Sequence, residues 1–139
     1  MIQILVISAS VTVATIVIVS AFIGTANVVL KWGAPLVRGK YHVLRAIVAV
    51  TFVTSWLLLS LFVAVFIWGV VFMAIGTFPN LEEAIYFSIV SFTTLGLGDV
   101  VIEGDWRLLS GFVATNGLIL FALVTAFLIQ AMSRILTHK

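Results

Sequence analysis

Charge is scarce in this sequence, and cysteine is absent. Only 9% of the 139 residues are Asp, Glu, Lys or Arg, whereas 63% are hydrophobic and the mean hydropathy is +1.34. Soluble domains carry about 25% charged residues, so this composition excludes an ordinary soluble protein and makes a lipid bilayer the expected solvent. The absence of cysteine excludes disulfides and thiolate metal ligands. Nothing in the charge distribution supports a nucleic-acid partner.

Residue patterns typical of enzyme active sites are also missing. The sequence shows no nucleophile beside a base and no cluster of metal-ligating residues, and its acidic residues are confined to one region. We therefore expect neither catalysis nor a bound cofactor.

Charged residues are absent from three long intervals, 1–30, 46–81 and 108–133. Each interval exceeds the roughly 20 residues that a helix needs to cross the hydrocarbon core. A cleaved signal peptide is the alternative for the first interval, but that interval lacks a basic leader and a small-x-small cleavage site. The sequence therefore predicts three transmembrane helices, the first within 1–30.

The charges that separate these intervals predict the orientation in the membrane. The loop at 31–45 is basic and contains Lys31, Arg38, Lys40 and Arg45. Such a loop is expected in the cytoplasm by the positive-inside rule. All the acidic residues lie between the second and third apolar intervals, namely Glu82, Glu83, Asp99, Glu103 and Asp105. We expect a multi-pass protein of the cell membrane with its N-terminus outside and its C-terminus in the cytoplasm.

The region between the second and third intervals contains a short apolar stretch that predicts a re-entrant helix. Asn80 follows the helix breakers Gly76 and Pro79 and can cap a helix that starts near Leu81, with Glu83 as a capping-box partner. The stretch that follows is too short to cross a membrane and runs into TTLGLGD at 93–99. Irregular backbone at membrane depth is tolerated only where protein buries it or where it lines a water-filled path.

The alternate glycines of this loop predict the chemistry of a cation path. Gly96 and Gly98 allow positive φ angles, with which successive carbonyl groups can point the same way. Repeated around an axis, such strands form rings of carbonyl oxygen that replace the hydration shell of a cation, and the Thr94 hydroxyl can add a further ring. Asp99 follows the last glycine, where a carboxylate raises the local concentration of cations.

Three segments resemble the potassium channel pore-domain family, whose filter usually reads TVGYGD. They are YFSIVSFTT at 86–94, the TTLGLGD run, and GLILFALVTA at 117–126. A glycine-rich turn that merely reverses the chain is the alternative, but the segments occur in the order of the family's pore helix, filter and inner helix. The resemblance extends from about residue 46 to 134 and leaves the first helix outside.

The resemblance implies an all-α membrane fold of three transmembrane helices, a re-entrant pore helix and a filter loop, assembled as a homotetramer in the lipid bilayer. Within a pore domain at 46–139 it implies these parts: an outer helix at 46–76, a pore helix at 81–93, a filter at 94–98 and an inner helix at 107–136.

The resemblance also implies the roles of individual residues. Potassium, the permeant ion, would bind the carbonyls of Thr94, Leu95, Gly96 and Leu97 and the hydroxyl of Thr94, with Gly98 closing the outer end and Asp99 at the mouth. The cavity and gate of the inner helix would comprise Asn116, Gly117 at the hinge position, Leu118, Phe121 and Thr125. Asn116 has an alternative role, which is a hydrogen bond between helices.

The filter departs from the usual family pattern at two positions. Leu95 and Leu97 stand where the family usually has valine and tyrosine, so the hydroxyl that stiffens such filters is missing. Tyr86 is expected to hydrogen-bond Asp99 from behind the filter. The leading interpretation is passive potassium conduction, and the alternatives are a pore weakly selective between sodium and potassium or a non-conducting accessory subunit of other channels.

Overall fold

The protein is helical over most of the residues that the structure describes. The computed structural model describes residues 1–33 and 42–137, and these contain no strand. The four α-helices, in chain order, are α1 (Ile2–Gly33), α2 (His42–Ala74), α3 (Leu81–Phe92) and α4 (Leu108–Thr137), and a short 3-10 helix at Gly104–Arg107 precedes α4. This arrangement confirms the all-helical fold expected from the sequence.

Three of these helices are long and apolar enough to cross a membrane, as expected. The candidate spans are Ile2–Trp32, Val43–Ala74 and Gly104–Arg134. Helix α2 has 33 residues and is therefore about 50 Å long, more than the roughly 30 Å of the hydrocarbon core, so it tilts or protrudes. Helix α3 has 12 residues and reaches about 18 Å, which is too short to cross.

The ends of α2 differ from the predicted outer helix at 46–76. The helix begins at His42 and includes Arg45, because a charged residue at the membrane surface does not interrupt a helix. It ends at Ala74 in a Schellman motif, in which the Thr77 amide donates to the Phe72 carbonyl and Gly76 has a φ of +75°. Arg38 and Lys40 of the predicted basic loop, and Lys139, lie outside the described residues.

The helices pack so that α3 contacts both α2 and α4, while α1 contacts α2 and α4 from another side. The contact of α1 with α2 includes Trp56, whose indole Nε1 donates to the Phe22 carbonyl at 3.2 Å and to the Thr25 hydroxyl at 3.0 Å. The largest fully buried side chains come from the other three helices and are Trp68, Phe72, Phe92, Leu57, Leu109 and Leu120. The core cluster also includes buried residues of α1, and α3 packs against both α2 and α4.

Candidate ion-conduction site

Helix α3 starts where its sequence predicts, because Asn80 caps it. The Asn80 Oδ1 accepts a hydrogen bond from the Glu83 amide at 2.8 Å, while the Asn80 backbone is extended. This bond satisfies one of the amides that the first turn of a helix leaves without a partner. The cap sets the point at which α3 begins.

Close backbone approaches hold α3 on two sides. On the α2 side, a Cβ added to Gly69 would lie 2.8 Å from Cγ1 of Ile85. On the α4 side, a Cβ added to Gly117 would lie 1.9 Å from the carbonyl oxygen of Phe92, the last residue of α3. Both glycines therefore serve packing, because any side chain would push the neighbouring helix away.

The end of α3 anchors the loop that follows. The Thr94 amide donates to the Ser91 carbonyl at 2.9 Å, and the amides of Leu95 and Gly96 both donate to the Val90 carbonyl, at 3.0 Å and 3.2 Å. These bonds join the first three residues of the predicted filter to the last turn of α3. Any displacement of the helix end is consequently passed to the loop.

The backbone of the loop alternates in handedness. The φ angles of Thr94, Gly96 and Gly98 are +60°, +56° and +78°, whereas the intervening Leu95 and Leu97 have negative φ. A positive φ at a threonine is strained, and such strain persists only where the surrounding structure or a function maintains it. The alternation is the pattern that the glycines at 96 and 98 predict, and it extends one step further to Thr94.

The loop lies on the surface of the single chain. The side chains of Leu95 and Leu97 are 63% and 60% exposed, and residues 93–99 are all exposed. Exposed backbone of this kind is incompatible with lipid, which offers no hydrogen bonds. In a membrane the loop requires either water or further protein beside it.

The end of the loop that follows Gly98 is joined to α3 by the predicted bond between Tyr86 and Asp99. The Tyr86 hydroxyl donates to Asp99 Oδ2 at 2.5 Å. Both residues lie outside the three spanning segments. This hydrogen bond is the main reason why the pKa of the Asp99 carboxyl is lowered. It is also the main reason why the pKa of the Tyr86 phenol is raised. Asp99 is therefore a carboxylate at neutral pH, held in place beside the last glycine of the loop.

The residues assigned to the cavity fall into two groups on α4. Leu118, Phe121 and Thr125 lie three and four residues apart on one helix face, where Leu118 is 59% and Phe121 37% exposed and Thr125 is exposed. Asn116 is instead buried at 1% exposure, and its Nδ2 donates to the Thr15 hydroxyl of α1 at 2.8 Å. This side chain does not lie on the exposed face, and its geometry matches the interhelical hydrogen bond that the sequence offers as its alternative role.

Two features of this site are not evident from the sequence. Gly69 gives no local signal because glycine is common in transmembrane helices. Thr15 is equally inconspicuous, since threonines in membrane helices commonly bond to their own backbone.

Within residues 1–33 and 42–137 no group of three or more His, Asp or Glu side chains is placed to hold a metal ion.

A comparison with known families agrees with this arrangement. Residues 60–134 match the model of a family described as ion channel, and the match runs from α2 through α3 and the loop into α4. Because it covers more than half of the sequence, the chain belongs to this two-helix ion channel family. No curated protein and no solved structure matches the chain. Helix α1 lies outside the matched range.

Proposed function

We propose that four copies of this chain form a passive, potassium-preferring cation channel whose ion sites are the backbone carbonyls of Thr94, Leu95, Gly96 and Leu97. The observation that carries the proposal is the alternating backbone handedness from Thr94 to Gly98. In such a strand successive carbonyls point to the same side, and rings of carbonyls from several chains can replace the hydration shell of an ion. The Thr94 hydroxyl supplies one further ring.

The electrostatics of the loop favour a cation over an anion. The C-terminal end of α3, where a helix dipole is negative, leads directly into the loop. The Asp99 carboxylate stands at the other end, with its pKa lowered by the Tyr86 hydroxyl. Both ends of the loop are therefore negative.

A tetramer accounts for the exposure of the loop. Each chain has one such loop, and its exposed backbone requires protein and water around it. A ring of identical chains provides both, because neighbouring copies cover the leucine side chains while the carbonyls face a water-filled axis. We place the acidic region between α2 and α4 outside the cell and the basic region after α1 in the cytoplasm.

A pore that discriminates weakly between sodium and potassium is the second candidate. The observation that favours it is Leu97, which has no hydroxyl to bond within the wall of the filter and is 60% exposed in the single chain. Recordings from purified protein in planar bilayers, with potassium on one side and sodium on the other, separate these functions. With equal concentrations of the two ions, a large reversal potential of the sign that opposes potassium flow supports the first candidate, and one near zero supports the second.

The same protein preparation tests the assembly. Native mass spectrometry should show tetramers, and a monomer or dimer that still conducts would contradict the proposal. Tetramers that carry no current would indicate an accessory subunit. The orientation is tested with Glu103→Cys and Lys31→Cys in intact cells, because the chain has no cysteine of its own. An impermeant thiol reagent should label the first variant and spare the second.

A further inference from the structure

Helix α1 lies outside the family match, yet it is joined to the inner helix α4 by side-chain hydrogen bonds at two heights. The Asn116 amide donates to the Thr15 hydroxyl at 2.8 Å, and Arg134 Nη1 donates to Asn27 Oδ1 at 2.7 Å. The first bond is buried, with Thr15 at 0% and Asn116 at 1% exposure, whereas the second is exposed. The buried bond is therefore the one that cannot be exchanged for a bond to water.

The geometry of Thr15 suits it to accept the bond. Its hydroxyl donates its proton to carbonyls of the preceding turn, those of Val11 at 3.0 Å and Thr12 at 2.9 Å. The lone pairs of the hydroxyl are therefore free to accept from Asn116 of α4. The Oδ1 of Asn116 is buried and has no partner among the described residues, so loss of the Thr15 hydroxyl would leave the whole amide without one.

Asn116 precedes the glycine that contacts the pore helix. Gly117 lies so close to Phe92 that a Cβ would be 1.9 Å from the Phe92 carbonyl oxygen. Two residues beyond Phe92 the loop begins, and its amides bond to the last turn of α3. A continuous series of contacts therefore leads from α1 through α4 and the end of α3 to the candidate ion sites.

We propose that Thr15 and Asn116 are positioning residues of the pore, and that α1 sets the rotation and height of α4 at which the end of α3 holds the filter. This inference rests on the proposed conduction. Thr15→Val removes the hydroxyl at nearly unchanged volume. It should lower the open probability and raise the permeability of sodium relative to potassium. At least one of these two quantities should change by about fivefold or more.

The test compares three variants in planar bilayers. Thr15→Ser keeps the hydroxyl and should behave as the wild type. Ser10→Ala is the matched control, because the exposed Ser10 hydroxyl of the same helix donates to the Val6 carbonyl of its own turn. A Thr15→Val channel whose open probability and permeability ratio equal those of the wild type would overturn the inference, while a silent wild-type protein would instead overturn the proposed conduction.

A reversible cross-link keeps the test decisive if Thr15→Val fails to assemble. In the doubly substituted chain Thr15→Cys and Asn116→Cys, a bifunctional thiosulfonate with a one-methylene spacer can bridge the two thiols, since asparagine reaches one bond further than cysteine. The bridged channel should conduct as the wild type, and reduction should produce the altered open probability and sodium permeability. Conduction that is insensitive to reduction in the bridged protein, or a bridge that forms only between chains, would contradict the assignment.

Discussion

Gly117→Ala separates two roles that one glycine can have in the inner helix. As a hinge, Gly117 lowers the resistance of α4 to bending, and alanine would change the open probability without affecting ion selectivity. The structure adds a second role, because the new Cβ would lie 1.9 Å from the Phe92 carbonyl oxygen, where ordinary contacts begin at about 3.4 Å. The two backbones would have to separate by about 1.5 Å, the difference between these distances.

The size of the destabilisation expected for Gly117→Ala follows from the rigidity of the Phe92 backbone that the new Cβ would contact. Overpacking of a tight core costs about 1–3 kcal/mol, and the value here belongs at the upper end because the obstructing atom is backbone and cannot rotate away. The better helix propensity of alanine offsets about 1 kcal/mol of this cost at most. We therefore expect Gly117→Ala to destabilise each chain by about 1–2 kcal/mol and to move the end of α3, to which the filter amides are bonded.

The assay needs both a stability and a permeability measurement. Gly111→Ala is the matched control, because the same change in the same helix meets nothing within 4 Å. Thermal dissociation of the purified assembly should occur at a lower temperature in Gly117→Ala and at an equal or higher temperature in Gly111→Ala. Gly117→Ala should also raise the permeability of sodium relative to potassium. If the two variants have the same stability and selectivity, the close contact with Phe92 is not formed and the reasoning is wrong.

Further substitutions test the outer mouth, the loop backbone and the cap of α3. Because the Tyr86 hydroxyl lowers the pKa of Asp99 below the ordinary value of 3.8, conductance at low salt should be constant from about pH 8 to pH 5 and fall only at more acidic pH. Tyr86→Phe should move that fall to higher pH, and an identical pH profile would refute the role of the bond. Gly96→Ala and Gly104→Ala both place alanine at positive φ, +56° and +72°, at a cost of about 1 kcal/mol or more each. Only Gly96→Ala should abolish potassium preference in bilayer recordings, so equal loss or equal retention would contradict backbone ion sites. Asn80→Ala should lower the stability of the assembly by about 1 kcal/mol per chain in thermal unfolding, whereas Asn80→Asp should preserve it, and an unaffected alanine variant would show that the cap is dispensable.

Features that depend on neighbouring residues are predictable from the sequence. The start of α3 at Leu81 follows from Asn80 and its bond to the Glu83 amide three residues later. The positive φ angles at Gly96 and Gly98 follow from glycine itself. The Tyr86–Asp99 bond, predicted from the resemblance, also joins residues near in sequence.

The positive φ of Thr94 could not be predicted in the same way. Threonine disfavours this conformation, so the angle is imposed by the bonds that tie the loop to Ser91 and Val90. Gly69 likewise looks like any glycine of an apolar helix until α3 is packed against it at Ile85. At Thr94, backbone hydrogen bonds to the last turn of α3 override the local preference, whereas at Gly69 a tertiary contact gives the glycine its role.

The sequence by itself determined that this protein has three helices able to span a membrane and a shorter helix between the last two, because burial in lipid constrains composition and charge along the whole chain. Tertiary structure alone decided that Asn116 turns to Thr15, a residue 101 positions earlier, and that Gly117 contacts the end of α3. A polar residue in a membrane helix requires a partner, but its sequence does not say which of several helices supplies it. That choice depends on how α1, α3 and α4 pack together.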